Sequence, residues 1–495
     1  MRTRVRTKSG SQLAIAIGAV LCGLCVSAQA QAQSSGDDAA SAPAPAAEVA
    51  TPPAVVAPDS AAPVESPAVP ASPAPVAAPP PPAAGPQIDL PPEEATAQPA
   101  EPLPIVQFGS AIEREEALSR GLTPERLAAR TTVVGGYGQF TLNSLRVGPD
   151  KDNDFTTRAN LRRIVLFVAH PITDDIRVYS EFEWENAVAC DGCNGSAEVE
   201  QAFIEWNLLG DALALRAGLV LVPMGIINQW HEPPVFHGVD RPNVDTFVIP
   251  TTWRELGLGV TGKLAEIWHY ELYLTTTLDP LRLDSSGLQP ALSLGSLARA
   301  DAFALTGRME VEPLLGVIGG VSFFASDVGG NGDYFRRNGK KRDLKLPLIG
   351  YSFDARMRRY GIEARLVWAQ FFFPNAGDLM GALREDGSSL FPNVDVTGPI
   401  PERIQGGYIE LAYDVLHELH VQHELLPFVR FETYDTQAKV PSGYRREPSL
   451  DVDELTMGLT YRPIPQLAFK GDVQLRDRRY GLDELQVNFG FGYMF

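Results

Sequence analysis

With 61 acidic against 42 basic side chains in 495 residues and a formal net charge of −19, the chain lacks the basic face that a nucleic-acid binder requires. No run of about 18 or more apolar residues follows the N-terminal stretch, so no transmembrane helix is expected.

Residues 1–30 read as a secretory signal. Arg2, Arg4, Arg6 and Lys8 form its charged region, Leu13–Val26 its apolar core and Ala28-Gln29-Ala30 its cleavage site. Removing those four bases takes the net charge from −19 to about −23. Cys22 and Cys25 lie in the apolar core, after Ala19-Val20-Leu21, a poor lipidation sequence. Residues 31–107 are rich in Pro and Ala, cannot bury a core and read as a disordered periplasmic tether. Residues 108–130 read as a short helical segment: Gly121 breaks it, and Thr123-Pro124-Glu125 restarts it with a cap and a first-turn proline.

From 131 to 495 the period changes to two. Sixteen strands are expected near 132–143, 155–170, 176–188, 198–209, 213–223, 255–264, 268–279, 299–312, 315–327, 344–359, 361–373, 403–416, 421–436, 452–463, 466–478 and 483–495. Short connections alternate with mostly longer ones, as in outer-membrane barrels, and the even strand number returns both ends to the periplasmic side. Each strand has an apolar and a polar face. Phe182 and Trp184 oppose Glu181, Glu183 and Glu185, and Phe353 opposes Asp354 and Arg356. The last strand, Leu485 to Phe495, sets Leu485, Val487, Phe489, Phe491, Tyr493 and Phe495 on one face. Ending on an aromatic suits a strand that closes a barrel, because lipid tolerates no open edge. The fold expected is all-β: a sixteen-stranded antiparallel transmembrane barrel. Trp206, Tyr273, Trp368 and Tyr461 fit its interfacial girdles.

No HExxH, GxSxG or phosphate loop occurs, so neither an enzyme nor a cofactor is expected. His417, His420 and His423 crowd one turn, where metal ligation is not the favoured reading. Cys190 and Cys193 sit in an outer loop, and a small disulfide is the favoured state in an oxidising compartment. Arg336, Arg337, Lys340, Lys341 and Arg342 form a basic outer loop that suits lipopolysaccharide phosphates, anions gathered at the mouth, or simply a solvated edge. The stretch Pro223–Arg254 is long, proline-rich and too apolar to float in water. It is expected to fold into the lumen and narrow it, with Trp230, His231, Glu232, His237, Asp240 and Arg241 as its polar and aromatic residues. On the wall, Glu181, Glu183, Glu185 and Glu205 face the bases Arg158, Arg162, Arg216, Lys263, Arg356, Arg358, Arg365 and Arg430. Opposed charges across a narrow lumen favour polar solutes.

Five short runs carry a family resemblance: Tyr137-Gly138-Gln139-Phe140, Asn160-Leu161-Arg162-Arg163, Tyr179-Ser180-Glu181-Phe182-Glu183, Gln201-Ala202-Phe203-Ile204-Glu205-Trp206 and Leu215-Arg216-Ala217-Gly218. Together they resemble the phosphate-selective porins of types O and P. The resemblance implies a trimeric outer-membrane channel for passive diffusion of small hydrophilic solutes, anions such as phosphate among them. Membrane lipids, lipopolysaccharide at the basic loop and the barrel-assembly machinery at the last strand are the expected partners, with peptidoglycan near the arm. The family's arginine ladders and lysine clusters are not matched here: the expected wall carries as many acids as bases. The other reading is a structural barrel tethered toward the cell wall by its N-terminal arm.

Overall fold

The computed structural model describes residues 132–148, 155–188, 194–265, 267–330, 336–337, 340–341, 344–385, 398–419 and 421–495. The signal, the tether and the helical segment expected over 1–130, the pair Cys190 and Cys193, and His420 and Arg342 lie outside the described residues. Of the basic loop, the backbone of Arg336–Arg337 pairs with Lys340–Lys341 in a small hairpin.

Sixteen antiparallel strands close on themselves, each bonded to its neighbours in sequence. They are β1 (Val133–Val147), β2 (Thr156–Pro171), β3 (Ile176–Glu185), β4 (Ala197–Asn207), β5 (Ala214–Leu221), β6 (Arg254–Leu264), β7 (Trp268–Thr275) and β8 (Ala304–Leu314). The second half comprises β9 (Val317–Asp327), β10 (Pro347–Arg359), β11 (Ile362–Phe372), β12 (Arg403–Tyr413), β13 (Glu424–Lys439), β14 (Asp451–Ile464), β15 (Leu467–Arg478) and β16 (Glu484–Met494). The seam joins β1 to β16, with Gly138 opposite Tyr493 and Phe140 opposite Phe491. Its last rung is double: the Phe495 amide donates to the Gly136 carbonyl at 2.9 Å, and the Gly136 amide donates to the Phe495 carbonyl at 3.0 Å. Every strand thus has two partners, the condition a spanning sheet must meet.

At one end the turns are tight. β10 and β11 are joined by Tyr360 and Gly361 alone, with φ of 55° and 74°. That is the two-residue geometry whose twist matches the flanking strands. The other end carries the long connections. One of them holds helix α1 (Ala376–Glu385), whose Ala376, Leu379, Met380 and Leu383 repeat at helical spacing and are buried.

Alternation sorts side chains between two solvents. Outward lie Phe489 at 56% exposure, Leu258 at 57% and Ile204 at 52%, with Phe182, Phe353, Leu411 and Phe431 also exposed. Such a belt is at home only in hydrocarbon. Trp184, Trp206, Trp268, Trp368 and Tyr413 are among its exposed aromatics. Tyr273 corrects the girdle reading: it points into the lumen, buried, and accepts a hydrogen bond from Arg216 at 2.9 Å.

Candidate functional site

The segment between β5 and β6 enters the barrel. Its neck is stapled by Asn228, whose amide donates to the Val222 carbonyl at 2.7 Å and the Trp253 carbonyl at 3.1 Å and accepts from the Trp253 amide at 2.7 Å. Beyond the neck, polar wall groups hold the loop's backbone. Ser352 on β10 accepts from the Gly225 amide at 3.2 Å, and Arg365 on β11 donates to the Val235 carbonyl. Lys470 on β15 donates to the Phe236 carbonyl at 2.6 Å. Asp472 accepts from the Val239 amide at 2.6 Å, and Glu432 on β13 from the Val244 amide at 3.0 Å. On β1, Gln139 donates to the Val239 carbonyl at 2.7 Å and Asn143 to the Asp240 carboxylate at 3.0 Å. An irregular backbone is tolerated at this depth because the wall satisfies its amides and carbonyls. Glycine makes the room. A β-carbon on Gly492 of β16 would lie 2.2 Å from the Pro233 side chain, and one on Gly490 would lie 3.0 Å from Val239.

The loop's apolar residues find the dry surface they need. Val222, Met224, Ile226, Ile227, Phe236, Val244, Val248, Ile249 and Trp253 share one core with Leu278, Leu288 and Leu292 of the next long connection, with α1, and with Phe324 and Phe371 of the wall. Trp253 is fully buried, its ring centroid 4.7 Å from that of Phe324 and 6.0 Å from that of Phe371. Part of the interior is therefore packed like a soluble protein, and the polar face of the barrel is wet over only part of its circumference.

Two cavities flank the loop. The one toward the long connections encloses about 450 Å³ and is lined by Arg162, Arg163, Arg241, Arg254 and Arg476 against Glu183, Glu185, Glu198 and Asp240. The other, about 70 Å³ toward the tight turns, is lined by Arg356, Arg358, Arg365 and Arg462 against Glu363 and Glu424. Their charges are knitted into pairs. Arg163 lies 3.3 Å from Glu183 and 3.8 Å from Glu185, Arg254 pairs with Glu198, and Arg358 reaches Glu424 at 2.7 Å. Elsewhere, Arg430 is fully buried between Glu432 at 2.7 Å and Glu410 at 3.1 Å, and Arg308 is buried between Glu310 and Asp354 at 2.7 Å each.

Of the residues expected in the constriction, Asp240 and Arg241 line the larger cavity, and Trp230 lies under the Arg356 guanidinium at 5.9 Å. His231 and Glu232, expected to face water, turn inward, and so does His237. All three are buried, with His231 3.7 Å from Glu200 and His237 2.9 Å from Glu363. Among the wall residues, Arg162, Glu183, Glu185, Arg356, Arg358 and Arg365 reach a cavity. Glu205 and Arg216 do not; Glu205 accepts from Arg216 at 2.7 Å and from Arg177. Arg158, exposed on β2, and Lys263 on β6 lie away from both cavities, and Glu181 is buried on the wall.

Sequence reasoning gave no site role to Arg163, Glu198, Glu200, Arg254, Glu363 and Arg462. For three of them the signal was present but shifted. The β1–β2 pairing slips between Gln139 and Phe140, so Arg163 rather than Arg162 faces Gln139. The β3–β4 pairing slips between Glu181 and Phe182, which delivers Glu200 inward beside Glu198. A bulge re-aims side chains in this way and breaks strict alternation. On the loop, outside the spanning strands, Asp245 is fully enclosed; burial, reinforced by the nearby Glu432 and opposed by the Tyr408 hydroxyl, pushes its carboxyl up to about 7.

No family model matches the chain. An uncharacterized protein of Aquifex aeolicus (strain VF5) is 30% identical over 351 residues, covering 70% of this chain and 75% of that protein. Among solved structures, the Salmonella typhi OmpF complex with daunomycin aligns over 73% of this chain and 97% of its own, at 14% identity and a TM-score of 0.48. The anion-selective porin from Comamonas acidovorans aligns over 74% and 99%, at 11% identity and a TM-score of 0.46. The outer membrane channel DcaP of Acinetobacter baumannii aligns over 74% and 97%, at 13% identity and a TM-score of 0.46. Likenesses at this level carry no argument about this chain's solute.

Proposed function

The chain belongs to one family with the Aquifex aeolicus protein, and for its polar-lined barrel we propose an outer-membrane porin that passes small hydrophilic solutes by diffusion. One observation carries this reading: a loop seated inside the closed barrel separates two charged vestibules. A scaffold that served only as an anchor gains nothing from charged recesses on both sides of an internal partition. The apolar outward belt supports a bilayer location, and the closed sixteen-stranded antiparallel barrel supports the outer membrane.

The solute class we propose leans toward anions. Guanidiniums outnumber carboxylates in both vestibules, five to four in the larger and four to two in the smaller, although the chain as a whole is acidic. A lining opposite in sign to the net charge sets the local field at the constriction. Phosphate belongs to this class, and the trimer implied by the family resemblance is compatible with it. The test is planar-bilayer recording of the purified full-length protein across a salt gradient. Discrete conductance steps with a reversal potential of anion-selective sign support the proposal. A folded barrel that produces no steps rejects the channel, and a cation-selective reversal rejects the solute class alone.

A further inference from the structure

Where the loop turns against β3 and β4, three side chains converge on one enclosed point. Glu181 comes from β3, Glu200 from the bulge of β4 and His231 from the loop, and their ligand atoms all lie within 4.8 Å of one another. All three residues are buried, Glu200 completely. We propose that this cluster is a divalent transition-metal site, of the kind that zinc or manganese fills, which clamps the inserted loop to the barrel wall.

The orientation of the imidazole is the main argument. His231 Nδ1 lies 3.2 Å from the Asn228 carbonyl, which can only accept, so Nδ1 carries the proton. That leaves the Nε2 lone pair directed at carboxylates, which are themselves acceptors. Nε2 is 3.7 Å from Glu200 Oε2, beyond hydrogen-bond reach, and both Nε2 and Glu200 Oε1 are buried without a hydrogen-bond partner. An imidazole held at Nδ1 by a backbone carbonyl, with Nε2 facing acids, is the usual posture of a ligating histidine. Two ligands bound at about 2.1 Å in tetrahedral geometry stand roughly 3.4 Å apart, so small side-chain rotations bring the three atoms into range. Mixed imidazole and carboxylate donors suit zinc and manganese better than calcium or magnesium.

The surroundings fit. Tyr137 donates to Glu200 at 3.1 Å and Gln201 to Glu181 at 2.6 Å, which orients both carboxylates. A third carboxylate, Glu183, adjoins Glu200. Among the described residues, two guanidiniums adjoin these acids: Arg163, at 3.3 Å from Glu183, and Arg241, which donates to the His231 carbonyl at 3.2 Å. Carboxylates so enclosed attract a divalent cation, which takes the place of protons there.

The experiment uses the full-length protein in detergent, stripped with EDTA and then given zinc or manganese alone. Metal retained after gel filtration is counted by mass spectrometry, and affinity is read by calorimetry. One ion per folded chain is expected, with binding at least about tenfold weaker in Glu200→Gln and in His231→Ala. Heat-modifiable migration identifies the variants that still form barrels. No retained metal on the folded wild type overturns the proposal and leaves a protonated His231 as the group that faces the acids. Undiminished retention in both variants places the metal elsewhere and equally overturns it. If neither variant folds, the wild-type count still decides, and Glu181→Gln replaces them. The count does not depend on whether the barrel conducts.

Discussion

Two buried groups in the lumen make opposite demands. Arg430 is fully enclosed and neutralises Glu432 and Glu410. Replacing it by Met strands Glu432 in a poorly solvated wall, while Glu410 keeps Arg365 at 3.2 Å, a loss of about 3–5 kcal/mol for breaking a buried pair. Urea unfolding of Arg430→Met should show that loss, and Arg479→Met, an exposed pair with Asp451, should show almost none. Asp245 works the other way. Its carboxyl titrates at about 7 in place, against about 3.9 in an open chain. The seated loop therefore holds a proton that the released loop has lost. The stability of the seat is greatest in acid, falls by about 1.4 kcal/mol per pH unit as the pH rises from about 4, and levels off above about 7. Protease cleavage within the loop should increase between about pH 4 and pH 7 in the wild type, and this slope should flatten in Asp245→Asn.

The elements were far more legible than their interior contacts. All sixteen strands follow from alternation, because a face toward lipid and a face toward charge leave the same period in every strand. The loop's entry into the lumen was also legible, since a long segment with Trp253, Ile249 and Phe236 needs cover. Its true cover was not: α1 and the connection holding Leu278 and Leu292 complete the core, and neither has a local signal that points to the loop. Bulges hid Arg163 and Glu200, because one inserted residue shifts the inward face without altering composition. His231 read as wet because polar residues on a loop usually are, whereas here it meets the buried Glu200. Two predictions belong to this scale. Gly492→Ala places a carbon against Pro233 that the loop must vacate, so single-channel conductance should rise while the barrel remains heat-modifiable. Phe495→Lys sets a charge on the outward face of the closing strand, and the yield of protease-resistant barrel should fall severalfold.

For the molecule as a whole, the contrast is between an acidic chain and a lining richer in arginine. Selectivity set by such a lining acts over the Debye length, about 10 Å at 0.1 M salt and about 3 Å at 1 M. Anion preference should therefore be strongest in dilute electrolyte and fade toward molar salt. Arg241→Glu, which reverses one charge of the larger vestibule, should shift the reversal potential toward cations, most strongly at low salt.

The loop's anchors also impose an order of events on biogenesis. The segment is made between β5 and β6, yet it is held by Arg430, Lys470, Asp472 and Gln486, up to 246 residues further along the chain. Until those last strands arrive and the seam zips, the segment has no wall to receive it, and contacts so distant in sequence form slowly. A nascent barrel stalled before closure should thus expose this segment to proteases, and the moment it becomes resistant should coincide with the pairing of Phe495 to Gly136. Maturation of the lumen then waits on the seam between β1 and β16.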